Sequence, residues 1–138
     1  MNSEVTNKLF IVDDDPAYML ELVHILESEY TIYTSKDGKT AAQKAEKLLP
    51  DLILLDILMP GINGFEVLAE LKKNNSTMSI PVIFITGLGS SEDEQKGLLL
   101  GAVDYIVKPF NSTIVKNKIQ NQIKIVNLQK ELEAIRNS

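Results

Sequence analysis

Three apolar runs and one mixed run in this chain each end on a side chain that can do chemistry. Leu9 to Val12 runs into Asp13-Asp14-Asp15, Leu52 to Leu55 into Asp56, Val82 to Ile85 into Thr86, and Val103 to Val107 into Lys108. Short apolar runs of this kind read as strands buried in a parallel sheet. In open α/β sheets, ligands bind just beyond the carboxyl ends of the strands. Carboxylates crowded there repel and raise one another's pKa. A hard divalent cation relieves that strain, and Mg²⁺, which takes one or two carboxylates plus waters and phosphate oxygens, fits the inventory. Lys108 adds a fixed positive charge, so the set suits a transferring phosphoryl group. A carboxylate in such a pocket can act as nucleophile and become an aspartyl phosphate. The Thr86 hydroxyl can donate a hydrogen bond to a phosphoryl oxygen.

Each residue also has an ordinary reading taken alone. Asp15 before Pro16 reads as a helix N-cap, and Asp14 could be one. Thr86 could be β-branched strand filler, and Lys108 a solvated loop lysine. Asp56 lies too far upstream of the helix that starts near Gly64 to cap it. What carries the chemistry is the arrival of all of them at the ends of four strands.

The elements that must position them follow in order. After the first strand, Lys8 to Val12, a helix runs from Pro16 to about Ser28 with Leu20, Val23 and Leu26 inward. Tyr30 to Thr34 is the second strand. Asp37-Gly38 opens a helix with the stripe Ala41, Ala45, Leu48 and Leu49, ended by Pro50. The third strand, Leu52 to Leu55, turns through Met59-Pro60-Gly61 and Asn63-Gly64. A helix follows over Gly64 to Asn74 with Phe65, Leu68 and Leu71 on one side. Pro81 to Thr86 is the fourth strand and Gly87-Leu88-Gly89 a flexible loop. Ser90 and Ser91, with Asp93 and Glu94, look like capping-box starts for a fourth helix, which Gly101 stops. Val103 to Val107 is the fifth strand, and a last helix runs from about Ser112 to near the end. Five βα units predict an α/β, flavodoxin-like, doubly wound parallel five-stranded sheet, strand order 2-1-3-4-5, with an extended C-terminal helix.

The 138 residues suffice for one domain with a real core. A net charge of −5 argues against a general nucleic-acid-binding surface. The absence of cysteine removes disulfides, thiolate metal sites and thiol nucleophiles, and a single histidine, His24, removes multi-histidine metal sites. No apolar run approaches the roughly 20 residues of a membrane span, and Met1-Asn2-Ser3-Glu4 does not begin a signal peptide, so a cytoplasmic protein is expected.

The set Asp13-Asp14, Asp56 followed by Met59-Pro60 and Gly64, Thr86-Gly87, and Asp104-Tyr105 followed by Lys108-Pro109-Phe110 resembles the receiver domain of two-component response regulators. It covers roughly residues 7–125, implying a receiver over 1–125 and a helical extension, a coiled-coil linker, over 126–138. The resemblance implies that Asp56 is the phosphoacceptor, taking a phosphoryl group from a phosphohistidine on a sensor histidine kinase or phosphotransfer protein. It implies that Asp13, Asp14, Asp56 and the backbone carbonyl of Leu58 hold Mg²⁺. Lys108 would bond the phosphoryl group, with a cis bond to Pro109. Thr86 and Tyr105 would be the switch pair that remodels the surface of the fourth helix, fifth strand and fifth helix, controlling an output domain or partner. Such a domain is no enzyme beyond its own phosphorylation and dephosphorylation, and neither direct nucleic-acid binding nor membrane association is expected. Asn63 stands where the family often has aspartate, a change expected to be harmless. Leu58 and Leu88 are apolar where many receivers are polar, and they flank the path of a hydrolytic water. A long-lived phosphoryl state is the expectation.

The last helix carries two stripes. Val115, Ile119, Ile123 and Val126 are spaced to cover the sheet. Ile125, Leu128, Leu132 and Ile135 then form a heptad seam, readable as a coiled coil that could make a homodimer or as a loose amphipathic tail. The chain reads either as a fragment of a longer regulator or as a stand-alone receiver. Two other functions compete. One is a small Mg²⁺-dependent phosphohydrolase with Asp13 as nucleophile, since Asp13-x-Asp15 resembles the haloacid dehalogenase pattern; Pro16-Ala17 and the short chain speak against it. The other is an unphosphorylated, receiver-like interaction module.

Overall fold

The apolar runs pair into one sheet, which the computed structural model describes together with the rest of residues 6–87 and 91–138. In chain order the elements are β1 (Lys8–Val12), α1 (Pro16–Leu26), β2 (Thr31–Ser35), a 3-10 turn (Gly38–Thr40), α2 (Ala41–Leu48), β3 (Leu52–Asp56), α3 (Gly64–Lys73), β4 (Val82–Gly87), α4 (Ser91–Leu99), β5 (Asp104–Lys108) and α5 (Ser112–Arg136). All four strand pairings are parallel and the order is β2-β1-β3-β4-β5. The expected flavodoxin-like architecture is therefore the observed one.

The uninterrupted apolar strands conceal a period of two. Leu9, Ile11, Leu52, Leu54, Ile83, Ile85 and Ile106 face α1 and α5, meeting Met19, Leu22, Leu26, Val115, Ile119 and Ile123. Phe10, Val12, Ile53, Leu55, Val82 and Phe84 face the other way, onto Ala41, Ala45, Val67, Leu68 and Leu71 of α2 and α3. With helices on both sides, Leu9 to Val12, Leu52 to Leu55 and Val82 to Ile85 are apolar on both faces, which is why these strands show no polar alternation in the sequence. Each fully buried Leu or Ile contributes about 1.5–3 kcal/mol of transfer free energy, so the sheet is a rigid base for whatever its ends carry.

The helix starts are set by side-chain caps. Asp15 accepts from the Ala17 and Tyr18 amides at the start of α1. Asn63 and Glu66 form a reciprocal capping box on α3, and Asn111 caps α5. Asp56 caps nothing, as its position foretold.

Three sequence expectations need correction. Leu20 is 56% exposed; the inward stripe of α1 is Met19, Leu22 and Leu26, one residue out of phase with it. Leu49 does not continue the buried stripe of α2. It closes the helix in the left-handed conformation, φ 47°, and is turned out to solvent. Asp37-Gly38 opens a 3-10 turn before α2 rather than the α-helix itself. Strand boundaries otherwise shift by about one residue, and Gly101, at φ 114°, follows α4 as a stop should. Leu88, Gly89 and Ser90, named in the loop, in the capping of α4 and in the hydrolysis argument, lie outside the described residues.

The two stripes of α5 are both real. Val115, Ile119, Ile123 and Val126 are buried, whereas Ile125, Leu128, Leu132 and Ile135 are all exposed. The helix passes the amino end of the sheet, where Lys130 pairs with Asp51 and Asn127 hydrogen-bonds Asn7. Among the described residues, no helix is long and apolar enough to cross a membrane.

Candidate phosphoacceptor site

Register brings the chemistry to one edge. Val12 is level with Leu55, Asp56 with Ile85, and Thr86 with Val107. The residues that follow β1 and end β3, β4 and β5 therefore surround a single cavity of about 230 Å³. Asp14, Asp56, Thr86 and Lys108 line it, with Leu58 at its mouth. Asp13 lies beneath, fully buried. The sequence thus foretold which side chains meet.

The acidic group is tight. One carboxylate oxygen each from Asp13, Asp14 and Asp56 lie within 4.8 Å of one another. Lys108 Nζ is 3.3 Å from Asp13 Oδ2 and 3.6 Å from Asp56 Oδ2. The Asp15 amide donates to Asp13 Oδ1 at 2.9 Å, and the Leu58 amide to Asp56 Oδ1 at 3.4 Å. Among the described residues, Asp13 Oδ2 has Lys108 as ion-pair partner but accepts no hydrogen bond, and the buried Thr86 Oγ1 has no hydrogen-bond partner. Burial raises the Asp56 carboxyl, the neighbouring Asp13 charge raises it further, and Lys108 only partly opposes them; the result is about 7. An all-oxygen donor set, with an unsaturated acceptor and excess negative charge, fits a hard divalent cation of the Mg²⁺ kind.

The loop after β3 approaches as closely as backbone allows. A Cβ on Gly64 would stand 2.5 Å from the Asp56 carbonyl oxygen and 2.9 Å from Ile57 Cα. Glycine at the start of α3 is what lets this helix sit directly under the Asp56 turn. Lys108 and Pro109 are joined by a cis peptide.

Tyr105 stands apart from the cavity, half-buried, between α4 and α5. Its phenol is held above its ordinary value by the charge and hydrogen bond of Glu94. Lys118 Nζ lies 4.4 Å from its ring centroid, donates to its backbone carbonyl at 2.6 Å and pairs with Asp104 at 3.1 Å. Tyr105 and Thr86 share no contact through their hydroxyls, since that of Thr86 is unpartnered.

Two site neighbours escaped the sequence reading. Asp93, taken only as a capping residue, lines the cavity from the first turn of α4. Tyr18 places its ring over Lys108, with Nζ 4.3 Å from the centroid. A signal existed for Asp93, because the amino end of each helix after a strand lies at the same edge as that strand's carboxyl end.

Comparison with known proteins agrees with this geometry. Residues 9–120 match the model of the response regulator receiver domain. The chain is 40% identical over 115 residues to a Vibrio cholerae protein named "Probable cyclic di-GMP phosphodiesterase", covering 83% of this chain and 26% of that one. It is 38% identical over 115 residues to the response regulator PleD of Caulobacter vibrioides, covering 83% and 25%. The chain thus spans about a quarter of the length of these relatives. Among solved structures, a chemotaxis response regulator of Vibrio cholerae superposes with a TM-score of 0.79 at 30% identity, covering 86% of this chain and 99% of that one. Aspartate, threonine and lysine at strand ends, on a 2-1-3-4-5 parallel sheet, together with these matches, place the chain in the response regulator receiver domain family, whose general function is phosphorylation-dependent signalling.

Proposed function

We propose that Asp56 is the phosphoacceptor of a two-component signalling step, taking its phosphoryl group from a phosphohistidine on a sensor kinase or phosphotransfer protein. The observation that carries this is the placement of Asp56: nearly buried, at the cavity, within reach of two further carboxylates and 3.6 Å from Lys108. An Asp56 oxygen attacks phosphorus, the P–N bond to the donor imidazole breaks as the P–O bond forms, and the leaving nitrogen takes up a proton. Asp13, Asp14, Asp56 and the Leu58 carbonyl are the residues assigned to hold Mg²⁺, which would supply charge neutralisation at the phosphoryl oxygens. Lys108, its ammonium staying at the site, exchanges its ion pair with Asp56 for one with the new phosphoryl group. The unpartnered hydroxyl of Thr86 donates to it, and Tyr105 leaves Glu94 to follow, which reshapes the α4-β5-α5 surface.

The reading extends to the partners. The exposed seam Ile125, Leu128, Leu132 and Ile135 supports a homodimer through the last helix, its extension over residues 126–138 joined to a receiver over residues 1–125. The receiver works in the cytoplasm, without contacting nucleic acid or membrane, and passes its state to an output domain or a partner protein. Leu58, 70% exposed at the cavity mouth, offers no group to orient a hydrolytic water, so the phosphoryl state is long-lived. Asp13 lies fully buried beneath Lys108 and does not line the cavity, which speaks against it as nucleophile.

The test is an intact-mass spectrum after incubation with Mg²⁺ and acetyl phosphate, on wild type and Asp56→Asn. One phosphoryl group on the wild type and none on the variant is the expected result. Equal labelling of both would overturn the assignment and move the nucleophile elsewhere.

A further inference from the structure

We propose that Tyr18 is a positioning residue for Lys108, its ring face holding the ammonium above the Asp56 carboxylate. This rests on the phosphoryl-binding role proposed for Lys108. Among the described residues the lysine has two ion-pair contacts and one ring contact. The ion pairs are at 3.3 Å to Asp13 and 3.6 Å to Asp56. Both are longer than the roughly 2.7–2.9 Å of a charge-assisted hydrogen bond, so neither fixes a flexible four-carbon stem by itself. The third contact is the Tyr18 ring, at 4.3 Å from Nζ, well inside the roughly 6 Å range of a cation–π interaction.

The ring is itself held. Tyr18 lies in the first turn of α1, and its amide donates to the Asp15 cap at 3.4 Å. Its ring meets Phe110 edge to face, centroids 5.5 Å apart and planes at 79°. Phe110 in turn packs against the core that α1 and α5 share with the sheet. Tyr18 therefore ties the end of β5, which carries Lys108, to the helix that follows Asp13-Asp14. One acidic partner of Lys108, Asp56, is replaced by a phosphoryl ester when the group arrives, but the ring face does not change. It is the contact that can keep the ammonium in place before and after transfer, which is preorganisation in the sense that lowers a barrier.

Two substitutions separate this from plain packing. Tyr18→Phe keeps the ring and drops the hydroxyl. Tyr18→Leu keeps apolar bulk and drops the π face. In the metal-free protein, the ε-methylene protons of Lys108, assigned by their loss in Lys108→Ala, should show an upfield ring-current shift in wild type and Tyr18→Phe. In Tyr18→Leu they should return to the ordinary lysine position. With acetyl phosphate at saturating Mg²⁺, Tyr18→Leu should slow labelling of Asp56 by about three- to tenfold, and Tyr18→Phe should stay within about twofold of wild type.

Unchanged Lys108 resonances in Tyr18→Leu would overturn the proposal, as would a Tyr18→Phe variant that behaves like Tyr18→Leu. A shifted resonance with an unchanged rate would also overturn it, since the ring would then hold the lysine to no catalytic effect. Should the wild type take no phosphoryl group on Asp56, the phosphoacceptor reading falls. The resonance comparison then decides the Tyr18–Lys108 contact on its own, a shift in Tyr18→Leu upholding it and none overturning it.

Discussion

Asp56→Asn should make the metal-free protein more stable at neutral pH, and the gain should vanish in acid. The folded structure raises the Asp56 carboxyl from 3.8 to about 7, chiefly by burial and then by the charge of Asp13. The folded state thus holds this proton more tightly than the unfolded chain does. Between pH 3.8 and about 7 the unfolded chain has shed the proton while the folded protein keeps it, so wild-type stability falls as pH rises through that window. The gap is about 3 units, and at 1.36 kcal/mol per unit it amounts to about 4 kcal/mol once the pH exceeds 7. Asparagine mimics the protonated carboxyl and carries no such penalty. The stability difference should be near zero at pH 4, about 2 kcal/mol midway through the window and about 4 kcal/mol at pH 8. Against a typical total of about 5–15 kcal/mol this is large. The assay is urea denaturation of both proteins in a chelator, across pH 4 to 8. Carboxylates that do not interact with Asp56 are shared and cancel in the difference. A difference that does not change with pH, or a variant less stable than wild type at pH 8, would refute the electrostatic account of the site. Added Mg²⁺ should narrow the gap, because it stabilises the folded wild type by mass action.

Other substitutions test other parts of the structure. Thr86→Val removes a buried hydroxyl that has no partner among the described residues. The resting protein should keep its stability or gain about 1 kcal/mol by thermal melting, while the spectral difference between phosphorylated and unphosphorylated forms shrinks. Gly64→Ala forces a Cβ to 2.5 Å from the Asp56 carbonyl oxygen; overpacking of that kind costs about 1–3 kcal/mol, read as a lowered urea midpoint. Burial alone would raise the Asp51 carboxyl, but the hydrogen bond and charge of Lys130, with the Lys8 amide, hold it below its ordinary value. The stability it contributes is present above the unfolded value and is lost as pH falls through the folded one. Lys130 is more than half exposed, so Asp51→Asn should cost at most about 1 kcal/mol at pH 7, with faster amide exchange in the second half of α5.

The site was legible in the sequence to a degree that the helices were not, and the reason is topological. A parallel sheet sends every strand's carboxyl end to one edge, so Asp13, Asp14, Asp56, Thr86 and Lys108 could be brought together by counting alone. No knowledge of a side chain's direction was needed. Helix faces demand more: one position of phase is 100° of rotation, and Leu20 was placed inward when Met19 and Leu22 hold the core. Leu49 was misjudged because nothing in its own side chain announces a left-handed backbone; that conformation belongs to the closing of α2 before Pro50. Tyr18 was missed for a different reason. Its role depends on which way an aromatic ring turns on the first turn of α1, and spacing carries no such information. Asp93 was visible as a residue but was read for its local capping value, and only the closeness of α4 to the cavity gives it a second one.

The resting site and its scaffold pull in opposite directions. Three carboxylates share a small space, Asp56 is forced toward its protonated form, and Asp13 Oδ2 and Thr86 Oγ1 lack hydrogen bonds. No sequence selected for stability alone would keep such a group. It survives because two apolar layers clamp the strands from both sides and leave the ends no freedom to relax. On the proposed assignment, each strained element is relieved in the working cycle: a bound cation neutralises the carboxylates, and the phosphoryl oxygens satisfy the threonine and give Lys108 a closer partner. Stored strain of this kind has a signature. Substitutions that neutralise the site, at Asp56 and Thr86, should stabilise the resting fold, and substitutions that loosen its support, at Gly64, should destabilise it. These signs follow from burial and charge at the site and from the close approach at Gly64, so an Asp56 or Thr86 substitution that destabilised the resting fold, or a Gly64 substitution that did not, would refute the account.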